Sequence, residues 1–201
     1  GLGDVYKRQN PLCGRNFEYF SEDPYLTGVC ACEITKGVQN DRPVIVCPKH
    51  FAANEQETFR RGNAGKNVDA VDSILTERAL RELYLKPFEM LVKDAGIACI
   101  MTSFNKINGT FAGGSHDLCT NILREEWGFE GAVVTDWGDM DMVVDGADAV
   151  AAGNDIVMPG GPPVIRQILK GYEEGRVTRE ELEQAVRHPV SYTHLRAHET
   201  R

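Results

Sequence analysis

The sequence predicts an α/β protein that forms the later part of a (β/α)8 TIM-like barrel. Short apolar segments alternate along the chain with amphipathic, helix-like segments. Each apolar segment is too short for a buried helix and is bounded by Gly or Pro, as expected for a parallel strand covered on both faces. A complete barrel needs about 250 residues. Only four clear units can be counted here, so we expect the later βα units alone.

The four predicted strands lie at residues 43–47, 96–101, 131–134 and 154–158. Because the order strand, helix, strand, helix is typical of parallel architecture, we expect these strands to be neighbours in one sheet. Two Gly- and Asn-rich segments, 62–67 and 108–115, are predicted to be loops at strand ends.

Four helices are predicted between and after the strands. The longest covers residues 71–93, and Pro87 is expected to kink it or end it early. The others cover residues 117–126, 163–174 and 179–186. The last is opened by a capping box formed by Thr178 and Glu181.

Both ends of the chain are predicted to be translated sequencing adapter. Residues 4–9 can be encoded by GATGTGTATAAGAGACAG, and the reverse complement of that string, read in another frame, encodes residues 190–194. A single adapter sequence, translated from one DNA strand at the start of the chain and from the complementary strand at its end, therefore accounts for residues 1–9 and 190–201. We expect the natural segment to be residues 10–189, a partial barrel domain whose true termini are absent.

The charge of the chain argues against two classes of partner. The formal net charge is −8, and residues 10–189 carry about −10 once the two basic flanks are removed. An acidic surface disfavours nucleic acid and anionic membranes, and no apolar run approaches the length of about 20 residues that spans a bilayer.

The six cysteines include no Cys-x-x-Cys pair, so the sequence predicts no metal site and no cofactor. Free structural thiols are the preferred interpretation, which favours a reducing, cytoplasmic compartment.

Polar and aromatic residues follow three of the predicted strands, and the carboxyl ends of barrel strands meet at one rim. Lys49 and His50 follow the first strand, Met101 and Phe104 lie at the end of the second, and Asp136 with Trp137 ends the third. A loop-like stretch supplies Arg15 and Glu18. Cations, a carboxylate and aromatic planes around one cleft suit a neutral polyol, with Trp137 holding a sugar ring.

Each candidate has a structural alternative. Asp136 could instead cap the following helix, and Trp137 could be a core aromatic. Lys49 and His50 could be surface residues, and Arg15 with Glu18 could be a structural ion pair.

Four motifs occur in order: GRNFEYFSEDP at residues 14–24, KHF at 49–51, MTSFN at 101–105 and VTDW at 134–137. Together they resemble the N-terminal barrel of glycoside hydrolase family 3, on the β-glucosidase branch. The resemblance implies that Asp136 is the catalytic nucleophile and that Arg15, Lys49 and His50 bind hydroxyl groups. It implies that Met101 and Phe104 line the same subsite, Phe104 standing where the family often has Tyr.

The resemblance also implies a retaining mechanism through a covalent glycosyl–aspartate, with β-glucosides as the expected substrates. A retaining enzyme needs a second carboxyl group as acid and base. The resemblance places it on a Glu of a following α/β domain, which this chain does not reach, so we expect the chain alone to be nearly inactive. We further expect Lys49 and Arg15 to hold the pKa of Asp136 down.

Three other functions stay open at this point. Lys49 could form a Schiff base in an aldolase-like lyase, which borohydride trapping would detect. The barrel could bind sugar without cleaving it, or cleave it by phosphorolysis, which product analysis in phosphate buffer would detect.

Overall fold

The computed structural model describes residues 10–41, 44–138 and 143–199. Its α-helices are α1 (Pro24–Asp41), α2 (Glu77–Ala79), α3 (Lys86–Ala95), α4 (Gly146–Ala152), α5 (Pro162–Glu173) and α6 (Arg179–Glu199). Its strands are β1 (Asp72–Ser73), β2 (Cys99–Met101), β3 (Lys106–Ile107), β4 (Thr110–Phe111) and β5 (Ala132–Val134). Two π-helices, Leu80–Leu85 and Asp117–Glu126, complete the longer elements.

The predicted parallel sheet is present, with the four segments in chain order. Strands β2 and β5 pair in parallel, with Ile100 opposite Val133. Single parallel bridges add the outer segments, Phe51 to Thr102 on one side and Val134 to Ile156 on the other. The first strand, predicted at residues 43–47, is wrong in position: residues 44–47 form no strand, and pairing begins at the Pro48 carbonyl, which accepts the Met101 amide at 3.0 Å. The fourth segment is shorter than predicted and pairs through a single bridge at Ile156.

The predicted 71–93 helix is wrong at its start and interrupted in its middle. Residues Asp72–Ser73 form β1, and the helix begins after Thr76, whose hydroxyl accepts the Ala79 amide at 3.2 Å. The π-helix Leu80–Leu85 then leads directly into α3, whose first turn contains Pro87, and the helix continues past the proline to Ala95. Gly96 ends the helix with φ of 58°.

The segment predicted as a loop over residues 108–115 contains half of a hairpin. Strands β3 and β4 pair antiparallel, and β1 joins β3 in parallel. Asn108 and Gly109 make the turn with φ of 49° and 89°. Asn-Gly is the strongest short-range signal for such a turn, so this hairpin could have been predicted from the sequence.

Helix α1 was not predicted. It begins after Asp23, whose carboxylate accepts the Leu26 amide at 2.7 Å, and Pro24 opens its first turn. Two interior glycines weaken its helical pattern, and one of them has a packing reason. A Cβ on Gly28 would lie 2.4 Å from the Met90 Sδ of α3, so a larger residue at position 28 would require the Met90 side chain to shift.

The main core lies between the parallel sheet and the helices of its units. Its fully buried side chains are Phe51, Leu85, Phe88, Leu91, Ile100, Leu123 and Val133. The Phe51 ring meets Phe88 edge-on, with centroids 5.1 Å apart, and Trp127 at 6.0 Å. Since Phe51 directly follows His50, this packing fixes one of the predicted site segments.

The predicted helices after the sheet are present. Helix α5 starts one residue before its predicted start, and α6 runs beyond residue 186 to Glu199. The capping box is confirmed, because Glu181 accepts the Thr178 amide at 2.6 Å and Thr178 accepts the Glu181 amide at 3.2 Å.

All six cysteines are free thiols. Within the described ranges, no helix combines the length and apolar composition needed to cross a bilayer.

Candidate active site

Backbone hydrogen bonds bring three of the predicted segments together at the carboxyl ends of their strands. The Phe51 amide donates to the Met101 carbonyl at 2.7 Å, and the Ser103 amide donates to the Phe51 carbonyl at 2.8 Å. The Thr102 amide donates to the Val134 carbonyl at 2.9 Å. His50, Met101 and Asp136 therefore lie on neighbouring strands at one edge of the sheet.

Asp136 presents a largely shielded carboxylate, with 13% of its side chain exposed. Oδ1 accepts the Trp137 amide at 2.7 Å. Oδ2 is buried and lies 3.2 Å from Nε2 of His50. One oxygen is thus held by the backbone, and the other is buried beside the His50 imidazole.

Asp136 is ionised at neutral pH. Burial raises its pKa, but His50, the Trp137 amide and the positive charge of Arg60 outweigh burial and leave the pKa below its usual range. The direction is the one expected from the sequence. The groups that produce it are His50, Trp137 and Arg60, whereas the prediction had named Lys49 and Arg15.

His50 is held neutral by its surroundings. Burial lowers its pKa, Asp136 partly opposes this, and the charges of Lys49 and Arg15 lower it further, with a net decrease. Lys49 and Arg15 therefore act on the site through His50, which places both predicted cations around the same imidazole. Lys49 itself is half-buried.

Arg15 also belongs to the structural ion pair that the sequence offered as its alternative. Its guanidinium donates to both oxygens of Glu18, at 2.6 and 2.8 Å. Its Nη1 lies 3.9 Å from a carboxylate oxygen of Glu57. Arg15 can form this ion pair and still act on His50. The two hydrogen bonds to Glu18 hold the guanidinium in place, and its positive charge still lowers the pKa of His50.

Phe104 is buried, with 3% of its surface exposed. Two arginine side chains lie close to its ring. The Cζ atoms of Arg60 and Arg61 lie 4.6 and 4.9 Å from the ring centroid, within the range of cation–π attraction. Met101, at the end of β2, is half-buried.

Arg60 and Arg61 were not among the predicted site residues. They follow no predicted strand and match no motif quoted above, so only the folded arrangement shows that Arg60 acts on Asp136.

Trp137 is 65% exposed, so its interpretation as a core aromatic is wrong. An indole exposed next to a recessed carboxylate offers a flat apolar face at the mouth of the site. The described residues contain no cluster of three or more His, Cys, Asp or Glu side chains suited to a metal ion.

Comparison with known proteins adds to this geometry. The family model for the glycosyl hydrolase family 3 N terminal domain matches residues 4–191. Beta-glucosidase A of Butyrivibrio fibrisolvens is 43% identical over 175 residues, which are 87% of this chain and 19% of that protein. A beta-glucosidase of Ruminococcus albus is 41% identical over 193 residues, 92% of this chain and 19% of that protein. The chain thus spans about a fifth of the length of these relatives.

Solved structures agree. Beta-glucosidase 3B of Thermotoga neapolitana, solved in complex with alpha-D-glucose, superposes with a TM-score of 0.84 at 40% identity, covering 96% of this chain and 26% of that one. A family 3 beta-glucosidase of Bifidobacterium adolescentis gives 0.84 at 40% identity, covering 96% and 27%. These superpositions confirm the predicted partial TIM-like barrel.

Proposed function

Because this chain belongs to the N-terminal domain family of glycosyl hydrolase family 3, we propose that it is the nucleophile-bearing part of a retaining β-glycosidase, specifically a β-glucosidase. The observation that carries the proposal is the Asp136 carboxylate at the end of β5, largely shielded, beside His50 and with its pKa below the usual range. Its relatives named beta-glucosidase support the choice of sugar.

In the proposed reaction, Oδ2 of Asp136 attacks the anomeric carbon as the bond to the leaving-group oxygen breaks. The leaving oxygen takes a proton from an acid carboxyl group, which becomes the base for the second step. That base removes a proton from water, the water oxygen attacks the anomeric carbon, and Asp136 leaves as a carboxylate. The Trp137 amide, which already binds Oδ1, steadies the carboxylate through both steps.

We assign substrate-binding roles to Arg15, Lys49, His50, Met101, Phe104 and Trp137. His50 and Lys49 would donate to sugar hydroxyls, and Arg15 would do so from the opposite loop. Trp137 would stack against the apolar face of a sugar ring, which its exposure permits. The positive charge of Arg60 would favour the ionised form of Asp136. No cofactor is needed for this chemistry.

We also assign the acid and base to a carboxyl group of a following α/β domain, so the chain alone would turn over β-glucosides almost undetectably. The short coverage of the relatives supports a larger parent protein. Joining this chain in frame to the remainder of such a parent should restore turnover. The six free thiols favour a reducing compartment for that protein.

We further propose that residues 1–9 and 190–201 derive from a sequencing adapter and that residues 10–189 are the natural segment. The adapter origin is supported by the two flanks, which complementary strands of one short DNA sequence can encode. Sequencing the source DNA without a transposase library would decide the matter: an open reading frame that reproduces either flank contradicts the proposal.

The test of function is covalent labelling of the restored enzyme. A 2-deoxy-2-fluoro-β-glucoside should inactivate it, and peptide mass spectrometry should find the sugar on Asp136. Asp136→Asn should lower turnover by about 1,000-fold or more while sugar binding persists. Asp148→Asn, a change in an exposed ion pair with Arg176, is the matched control and should keep turnover. Label on another residue, or normal hydrolysis by Asp136→Asn, would refute the role given to Asp136; binding with neither label nor turnover would favour a carbohydrate-binding barrel.

A further inference from the structure

Thr135 is a buried residue directly before Asp136, at the point where β5 ends. None of its surface is exposed. Its hydroxyl accepts a hydrogen bond from the Met158 amide and donates one to the Asp136 carbonyl, both at 3.0 Å. Because an amide N–H can only donate and a carbonyl can only accept, the direction of each bond is fixed. The hydroxyl therefore links the backbone of Asp136 to the fourth strand segment, residues 154–158.

Two backbone hydrogen bonds hold the chain on either side of this link. The Thr135 amide donates to the Ile156 carbonyl at 2.9 Å, and the Gly138 amide donates to the Met158 carbonyl at 3.0 Å. The two residues between them make no backbone–backbone hydrogen bond to any other residue that the structure describes. Within the described ranges, the hydrogen bond that ties the Asp136 backbone to the fourth segment is therefore the one from the Thr135 hydroxyl.

The Asp136 carbonyl and the Trp137 amide belong to one planar peptide unit. The Thr135 hydroxyl binds the oxygen of this unit, and Oδ1 of Asp136 accepts its N–H at 2.7 Å. Fixing the carbonyl of a planar unit also fixes the direction of its N–H. The hydroxyl thus controls the contact that holds one carboxylate oxygen, while the other oxygen lies 3.2 Å from Nε2 of His50.

We propose that Thr135 is a positioning residue for glycosyl transfer: its hydroxyl holds the peptide unit whose N–H binds the Asp136 carboxylate. The proposal rests on the nucleophilic role given to Asp136 above. Because it is fully buried, Thr135 acts through the peptide unit between Asp136 and Trp137 and not on the substrate itself. Attack on the anomeric carbon requires a carboxylate oxygen at a defined position, and a displacement of about 1 Å can lower the rate about 100-fold.

The first test measures hydrogen exchange of the Trp137 amide in the full chain by NMR. Thr135→Val replaces the hydroxyl with a methyl group of similar size. The peptide unit then loses its hydrogen bond, and the Trp137 amide should exchange about tenfold faster. Thr135→Ser keeps the hydroxyl, and its Trp137 amide should exchange like that of the unmodified chain. Equal exchange rates in the two variants would overturn the proposal.

Thr120→Val is the matched control for a general loss of stability. The Thr120 hydroxyl donates to the Ala152 carbonyl at 2.9 Å, so this change also removes a partly buried hydroxyl hydrogen bond, on the π-helix Asp117–Glu126. It should leave exchange of the Trp137 amide unchanged, and an acceleration equal to that of Thr135→Val would overturn the proposal. Should Thr135→Val fail to fold, Thr135→Ala compared with Thr135→Ser isolates the hydroxyl with the same expectation.

The second test follows turnover of a β-glucoside by the restored enzyme. Thr135→Val should lower kcat by about 10- to 100-fold and change KM by less than about threefold, because the sugar-binding side chains stay in place. Thr135→Ser and Thr120→Val should keep kcat within about threefold of the unmodified enzyme. An unchanged kcat in Thr135→Val, or a change confined to KM, would overturn the positioning role.

Hydrogen exchange needs no turnover, so it is independent of the labelling test. If Asp136 is not labelled by the fluoroglucoside, the proposed function fails, while exchange of the Trp137 amide still reports whether Thr135 holds the peptide unit. If Asp136 is labelled and the Trp137 amide is insensitive to the Thr135 hydroxyl, only the positioning role fails.

Discussion

Nε2 of His50 lies 3.2 Å from Oδ2 of Asp136, and the two side chains are 4% and 13% exposed. A neutral imidazole and an ionised carboxylate thus share a shielded position at the ends of the first and third segments of the sheet, on either side of β2. Both groups bind protons less readily in the folded chain than their ordinary pKa values of 6.5 and 3.8 imply. The pair therefore makes the stability of the fold depend on pH in a defined direction.

The first prediction concerns acid destabilisation through His50. Below pH 6.5 the unfolded chain protonates this histidine, whereas the folded chain does so only at lower pH. The unfolded state then binds more protons, so the free energy of unfolding should fall as pH drops from about 7.5 through 6.5 towards the folded pKa. For Asp136 the same sign applies below pH 3.8, where its contribution is lost.

Urea denaturation across that pH range measures the effect. His50→Gln should flatten the dependence of unfolding free energy on pH, even though it lowers the free energy overall. His116→Gln is the matched control, since His116 is exposed and its removal should leave the slope unchanged. Equal slopes in the two variants would contradict the prediction.

The second prediction concerns Phe51, which supports His50 from within the core. Its side chain is fully buried and packs edge-on against Phe88 and Trp127. Phe51→Ala should lower the free energy of unfolding by about 3–5 kcal/mol, since the transfer and cavity terms add. In urea denaturation the control Phe17→Ala, at a side chain 83% exposed, should change it by less than about 0.5 kcal/mol. A small loss at Phe51 would mean that the surrounding core collapses into the space.

The third prediction concerns the capping box of α6, which the sequence identified. Thr178 and Glu181 exchange hydrogen bonds through side chain and backbone. Thr178→Ala should cost about 1 kcal/mol of unfolding free energy, measured by thermal or urea denaturation. Thr178→Ser keeps the hydroxyl and should cost much less, so equal losses in the two variants would place the effect in the methyl group.

The positions of the candidate site residues in the fold were predicted better than the elements around them. Asp136, His50 and Met101 were correctly placed at one rim because strand ends of a parallel sheet share an edge, a rule that needs no tertiary detail. Helix α1 was missed because Gly28 weakens its pattern, and the neighbour that Gly28 faces, the Met90 side chain, is far away in the sequence. Arg60 was missed for a similar reason: its neighbour Phe104 is brought to it only by folding.

The predicted strand lengths also failed for a physical reason. The apolar residues 43–47 indicated a full strand, but the ladder on that side consists of a single bridge at Phe51. Val44 and Ile45 remain 42% and 49% exposed, so their apolar character is not used for packing within the described residues. An apolar segment can form a buried strand, but it does so only where another part of the folded chain packs against it.

The last prediction concerns Asp155, which ties the start of the fourth strand segment to two helices. Its carboxylate, 2% exposed, accepts hydrogen bonds from Nη2 of Arg124 and from the Val133 amide, both at 2.7 Å. Its other oxygen lies 2.8 Å from Nδ1 of His188 on α6. Removing the carboxylate leaves a shielded guanidinium without its counter-charge and the Val133 amide without its side-chain acceptor, so Asp155→Ala should cost about 3–5 kcal/mol of unfolding free energy.

Asp155→Asn preserves the shape and one acceptor oxygen, and it should cost less than Asp155→Ala. Glu183→Gln provides the control, because Glu183 pairs with Arg179 and Arg187 on the exposed face of the same α6, where such pairs contribute little. Its loss should change unfolding free energy by less than about 0.5 kcal/mol. If Asp155→Ala were as mild as Glu183→Gln, then water must replace the carboxylate at Arg124, and the cluster would not be what joins α6 to the sheet.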